Sequence, residues 1–136
     1  MNLRDMTDAD IEFMKSHSIS RGIFNKQPQE IAVSVCIEEN GIPLAVGGIQ
    51  MINCTTAWAW CDLSDESGKH IVIVYRIIRT WLEEMVEKMG IKRLQCYVER
   101  DFVEGHNMVR HLGFDFESTA ENFVGDKPAD IYRRFT

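Results

Sequence analysis

Residues 55–70 read Thr-Thr-Ala-Trp-Ala-Trp-Cys-Asp-Leu-Ser-Asp-Glu-Ser-Gly-Lys-His, and the fold turns on this stretch together with the apolar run that extends from it to Met89. From Thr55 to Leu63 the side chains alternate. Trp58, Trp60 and Asp62 fall on one face of an extended chain, and Ala57, Ala59 and Cys61 on the other. This is a strand, and its small-residue face admits a closely packed helix. From Lys69 to Met89 the apolar residues Ile71, Val74, Ile78, Leu82, Met85 and Met89 recur at spacings of three and four, and Gly90 closes the run. The spacing predicts a long amphipathic helix. From Lys92 to Glu99, the apolar Leu94, Cys96 and Val98 alternate with Gln95, Tyr97 and Glu99, and a half-polar face on a central strand marks a cleft. Two strands joined by a helix enter a sheet in the same direction, so this crossover implies a parallel pair.

Further out, Thr7 with Asp10 three residues later predicts a helix start, with Ile11, Phe13 and Met14 supplying apolar contacts and a short strand around Leu3 preceding it. Arg21 to Gln29 is polar and reads as partly helical. Ile31 to Glu38 is a β-branched strand, and Asn40-Gly41 supplies a turn pair suited to positive φ before a return strand at Leu44 to Met51. Gly47-Gly48 interrupts that strand, where a bulge or a close backbone approach is expected. Toward the C-terminus, His106 to Leu112 reads as a short helix stopped by Gly113, followed by strands at Phe114 to Thr119 and Asp130 to Phe135. Their connection, Ala120 to Ala129, is long for a hairpin and is expected to overhang a site. The class is mixed α/β.

The chain has 136 residues, the size of one domain, so a single domain over residues 1–136 is expected. With 45% hydrophobic and 26% charged residues and only three prolines, the composition is that of a globular protein rather than a disordered one. The net charge of -6 opposes binding that relies on neutralising nucleic-acid phosphates and draws cationic partners instead. The N-terminus has no apolar signal core and no run of about 18 apolar residues occurs, so no membrane partner is expected and the location read is cytoplasmic. Cys36, Cys54, Cys61 and Cys96 lie in apolar stretches without a Cys-x-x-Cys pair, and they read as buried, reduced core thiols. A metal site drawing on Cys61 and His70 is disfavoured by the spacing, and no metal is expected.

The segment from Ser64 through Ser67, Gly68, Lys69 and His70 links a strand directly to the long helix. Small residues leave amides accessible at the positive end of the helix dipole, which makes an anion site, and Lys69 adds a mobile charge. It is not a nucleotide P-loop, because the glycine required four residues before the Gly-Lys pair is absent.

Four ordered segments resemble the GNAT acyltransferase superfamily. They are Leu3-Arg4-x-x-Thr7-x-x-Asp10-Ile11, Asn40-Gly41-x-x-Leu44-Ala45-Val46-Gly47-Gly48, Ser67-Gly68-Lys69-His70 where that family carries Arg/Gln-x-x-Gly-x-Gly/Ala, and Leu112-Gly113-Phe114. Ser67-Gly68-Lys69 and Met108 to Gly113 are similar to small GNAT-like proteins of tailed bacteriophages, which adds host cytoplasm or a virion to the expected locations. The resemblance implies a mostly antiparallel sheet of six to seven strands, a parallel split between its fourth and fifth strands, and about four flanking helices. It implies an N-acetyltransferase carrying an acetyl group from acetyl-CoA, as co-substrate, to a primary amine on a protein or small molecule. The pantetheine arm would pair with the strand near Cys61 and Leu63, and the pyrophosphate would rest on amides from Ser67 to His70. A homodimer is left open.

Two positions depart from the family pattern. Asp65, with Glu66 beside it, stands where the leading Arg/Gln is expected, and His70 replaces the second Gly/Ala. Val109 occupies the place of the tyrosine that often protonates the leaving thiolate, for which His106 or Tyr97 is a substitute. Asp62 and Glu99 are the candidate bases, as strand ends bordering the implied split. The rival roles are a turn cap for Asp62 and a solvated strand end for Glu99. Trp58 and Trp60 line an acceptor tunnel or belong to the core, and a Cys61 nucleophile lacks an activating partner in the sequence. The alternative to an enzyme is a catalytically silent GNAT-fold phage protein acting in virion assembly or host interaction.

Overall fold

The computed structural model describes residues 1–19 and 33–135. In chain order the described elements are β1 (Asn2–Asp5), α1 (Asp8–His17), β2 (Val33–Glu39), β3 (Ile42–Met51) and β4 (Thr56–Leu63). A 3-10 turn (Gly68–His70) then runs into α2 (Ile71–Met89), followed by β5 (Arg93–Glu99), α3 (Val103–His111), β6 (Asp115–Val124) and β7 (Lys127–Phe135). The seven strands form one sheet in the order β1-β2-β3-β4-β5-β7-β6. The parallel pair that the crossover requires is present: Thr56, Ala57 and Trp58 of β4 pair with Arg93, Leu94 and Gln95 of β5. The β1–β2, β2–β3, β5–β7 and β6–β7 pairs are antiparallel. Three α-helices lie among the described residues, while the polar stretch Arg21 to Gln29, read as partly helical, lies outside them.

The chain sorts into two compact units, Met1–Gln50 with Ala59–Ile77 and Met51–Trp58 with Ile78–Thr136. In the first, the Thr7–Asp10 helix start is made as expected. The Asp10 carboxylate accepts from the Thr7 N–H at 2.8 Å and from its hydroxyl at 3.1 Å. Arg4 grips the same carboxylate through two nitrogens at 2.6 and 2.8 Å and donates to Glu38 at 2.8 Å, which ties β1 to both α1 and β2. Met14, Cys36, Val46 and Trp60 form a buried cluster with Met6 and Phe13 packed against it. Trp60 is therefore core. Gly47 is required for a close approach: a Cβ there would stand 2.9 Å from the Trp60 carbonyl oxygen and 3.5 Å from Cys61 Cα. Asn40 and Gly41 make the β2–β3 turn at φ values of 52° and 81°.

In the second unit, Leu94, Cys96 and Val98 of β5 are buried, as are Leu82, Val86, Met108, Val109, Leu112 and Tyr132. The expectation of a long overhanging connection from Ala120 to Ala129 does not hold. β6 continues to Val124 and β7 begins at Lys127, so most of that segment is strand. A register shift between Ala120 and Val124, with Asn122 at a φ of 51°, breaks the period-two pattern and hides the strand in the sequence. Pro128 sits near the start of β7, where a missing N–H is tolerated. A second correction concerns the cysteines. Cys36 and Cys96 are buried, but Cys54 is exposed, because it lies in the turn between β3 and β4 rather than in a strand. Among the described residues no helix is long and apolar enough to cross a membrane.

Candidate functional site

The turn after β4 is held by serine hydroxyls directed at backbone carbonyls. Ser64, almost fully buried, donates its Oγ–H to the Pro43 carbonyl at 2.7 Å, and its N–H to the Leu44 carbonyl at 2.9 Å. Ser67 Oγ donates to the Ser64 carbonyl at 2.7 Å. Ser67 is the residue at the helix N-cap, so its hydroxyl is committed backward and makes no side-chain cap on the helical amides ahead. Gly68 opens the helix in ordinary right-handed geometry, and a Cβ placed on it would meet nothing within 4 Å. Of the amides expected to face an anion, that of Ser67 is taken by the Ser64 carbonyl at 3.1 Å and that of His70 by the Ser67 carbonyl at 2.9 Å, so the turn presents the exposed Gly68 and Lys69 at its positive end beside open space. This arrangement fits a phosphate group.

The carboxylate that looks misplaced in the sequence is not left facing those amides. Asp65 accepts from His17 Nδ1 at 3.1 Å, while its N–H donates to the His17 carbonyl at 2.9 Å. His17 in turn stacks on Phe13, with ring centroids 4.0 Å apart and planes 10° from parallel. Ser18 bridges Ser64 in antiparallel fashion, and the Ile19 N–H reaches the Leu63 carbonyl at 3.0 Å. None of His17, Ser18 or Ile19 was singled out by sequence reasoning, since nothing local marks residues 17–19 as partners of residues 63–65.

Cys61, Asp62, Leu63, Ser64, Ser67, Gly68, Lys69 and His70 lie together at the end of β4 and the start of the helix, all in the first unit. Leu63 and Asp62 are buried, Asp62 at 2% exposure, and Cys61 is half-buried. Burial, with the nearby Cys61 thiol adding to it, raises the Tyr75 phenol on the first turns of α2. Among the described residues no group of three or more His, Cys, Asp or Glu is placed to hold a metal ion.

The other candidates lie in the second unit and divide between the two faces of β5. Tyr97 and Glu99, two residues apart, share one face and both are half-buried. Tyr97 stacks on Phe123 at 4.8 Å, and Trp58 meets both rings edge-on at 6.1 Å. Phe123 went unnoticed in the sequence because it falls in the segment read as a loop. Cys96, on the opposite face, pairs with Tyr132 of β7. His106 faces that side: its Nδ1 is 2.7 Å from the Tyr132 hydroxyl and its Nε2 is 3.0 Å from the Arg100 carbonyl. Both ring nitrogens are engaged. Burial is the main cause that raises the Tyr132 phenol. His106 and Tyr97 therefore do not converge on one point.

Solved structures match this fold across nearly the whole chain. One is a GNAT family acetyltransferase from Elizabethkingia anophelis with acetyl-CoA bound, at a TM-score of 0.75 and 9% identity, covering 99% of this chain and 97% of that one. The chain has the GNAT fold. A spermidine N-acetyltransferase variant from Vibrio cholerae gives 0.72 at 14% identity, covering 99% and 95% of the two chains. The ribosomal-protein-S18-alanine N-acetyltransferase from Escherichia coli gives 0.67 at 14% identity, covering 97% and 91%. No family model and no curated protein sequence matches the chain. Val109 is buried on the stripe of α3 formed by Gly105, Met108 and Val109.

Proposed function

We propose that this GNAT-fold chain is an N-acetyltransferase that moves an acetyl group from acetyl-CoA to a primary amine. The observation that carries the reading is the helix start after β4: its N-cap hydroxyl is turned away, its glycine faces open space, and the Gly68 and Lys69 amides stand exposed there, while those of Ser67 and His70 donate to backbone carbonyls. The amides of Gly68 and Lys69 hold the pyrophosphate, the Lys69 side chain adds charge, and the β4 backbone at Cys61 and Leu63 pairs with the pantetheine arm. Acetyl-CoA supplies the acyl group as an activated thioester. Glu99 takes a proton from the incoming ammonium, directly or through a water, with Asp62 as the buried alternative. The amine nitrogen bonds to the acyl carbon as the carbon–sulfur bond breaks, and Tyr97 returns a proton to the leaving sulfur. His106 takes that last role only by giving up a bond to Tyr132 or Arg100. The domain acts alone or as a homodimer, in the cytoplasm. The acceptor is a protein terminus, a lysine or a small polyamine.

The test is calorimetry with acetyl-CoA, followed by thiol release across a panel of peptides, lysine and polyamines. Absence of both heat and thermal shift at millimolar acetyl-CoA would remove the reading. A second reading is a catalytically silent GNAT-fold protein, of the tailed-phage assembly or host-interaction kind that the sequence resembles. It draws on Val109 at the tyrosine position and on the engaged ring of His106. It predicts co-purification with a larger partner and no turnover with any amine.

A further inference from the structure

We infer that His17 is a positioning residue for the acyl-CoA site, holding the Asp65 carboxylate away from the amides that would receive the pyrophosphate. The inference rests on the acetyl-CoA reading above and explains how an acidic residue is tolerated where the resembled family carries Arg or Gln. A carboxylate free to turn toward an uncapped helix end would satisfy those amides itself and would repel a polyanion. Here it is anchored twice. The side chain meets His17 Nδ1 at 3.1 Å, and the backbone N–H meets the His17 carbonyl at 2.9 Å. His17 is itself oriented, by stacking on Phe13 with ring centroids 4.0 Å apart and by its place in the last turn of α1. The Ser18–Ser64 bridge and the Ile19–Leu63 hydrogen bond extend the same strap along the chain. The side chain set against His17 is Asp65, while Glu66, Lys69 and His70 stand on the same turn.

The experiment compares acetyl-CoA binding by calorimetry in the wild type, His17→Phe, Asp65→Asn and the double variant, at low salt where charge effects are largest. Phenylalanine keeps the stack on Phe13 and removes the ring nitrogen. His17→Phe is expected to bind about five- to tenfold more weakly. Asp65→Asn binds as tightly as the wild type or more tightly, and the double variant binds within about twofold of Asp65→Asn. That rescue separates a charge effect from a structural one, since a broken strap alone would leave the double variant as weak as His17→Phe. A His17→Phe affinity unchanged from wild type, or a double variant without rescue, overturns the inference and leaves the acetyl-CoA reading intact. If the wild type does not bind, both fall.

Discussion

Replacing Gly68 separates the demands of the fold from those of the ligand. The backbone at Gly68 is right-handed and an added Cβ meets nothing within 4 Å, so neither strain nor collision opposes a side chain there. Gly68→Ala removes conformational freedom from the unfolded chain and is expected to stabilise by about 0.4–1 kcal/mol. For a chain of this size that raises Tm by roughly 1–4 °C. Gly68→Glu adds a carboxylate at a helix N-terminus, which is favourable by about 0.3–1 kcal/mol, so it too melts no lower than the wild type. Its effect on the ligand is opposite. The carboxylate occupies the space beside the amides and removes charge-assisted hydrogen bonds to the pyrophosphate, a loss of about 1.5–3 kcal/mol, or roughly ten- to 150-fold in Kd. Thermal melts and calorimetric titration of acetyl-CoA measure the two effects on the same samples. A Gly68→Glu protein that binds within twofold of wild type would falsify the placement of the pyrophosphate. A Gly68→Ala protein that melts clearly lower would refute the open geometry of the turn.

Gly47→Ala should behave in the contrary way, losing about 1–3 kcal/mol in urea denaturation, because its Cβ meets the Trp60 carbonyl at 2.9 Å and backbone does not yield as a side-chain end does. Asp10→Asn should cost about 1–3 kcal/mol at neutral pH. The hydrogen bonds from Arg4 hold the Asp10 carboxyl below its usual value against the opposing effect of burial. The stability it contributes is therefore complete above the unfolded-state value and lost as pH falls through the folded one, so the variant's stability should change less with pH below about 4. Iodoacetamide at pH 8 should label exposed Cys54 first and leave Cys36 and Cys96 untouched until the chain unfolds, since burial pushes both of those thiols up to about 12; peptide mass spectrometry reads the order. Tyr97→Phe should lower kcat while leaving KM for acetyl-CoA within twofold, and equal loss in His106→Ala would move the proton-return role to the other face of β5.

The elements carrying strong local signals are legible in the sequence alone. The alternation from Thr55 to Leu63, the three-four spacing through Met89 and the alternation around Cys96 together required a parallel crossover, and β4 and β5 are parallel. Thr7 with Asp10, Asn40-Gly41 and Gly47 were equally readable, because each acts through neighbours within a few residues or through the lack of a side chain. The two last strands are legible at Phe114 to Thr119 and Asp130 to Phe135, but their extension to Val124 and from Lys127 is not, since a register shift between Ala120 and Val124 erases the periodicity on which strand reading depends.

By itself the sequence determined the mixed α/β class, the crossover and the position of the strand-to-helix turn at Ser67–His70 that is proposed to take the pyrophosphate, since each depends on local periodicity or on the start of a single helix. Only the tertiary structure decided what surrounds that turn. It placed Trp60 in the core, set Tyr97 and His106 on opposite faces of β5, and brought His17 to Asp65 across 48 positions of chain. Such meetings arise from how the strands and helices pack, a long-range outcome that no short window of residues encodes.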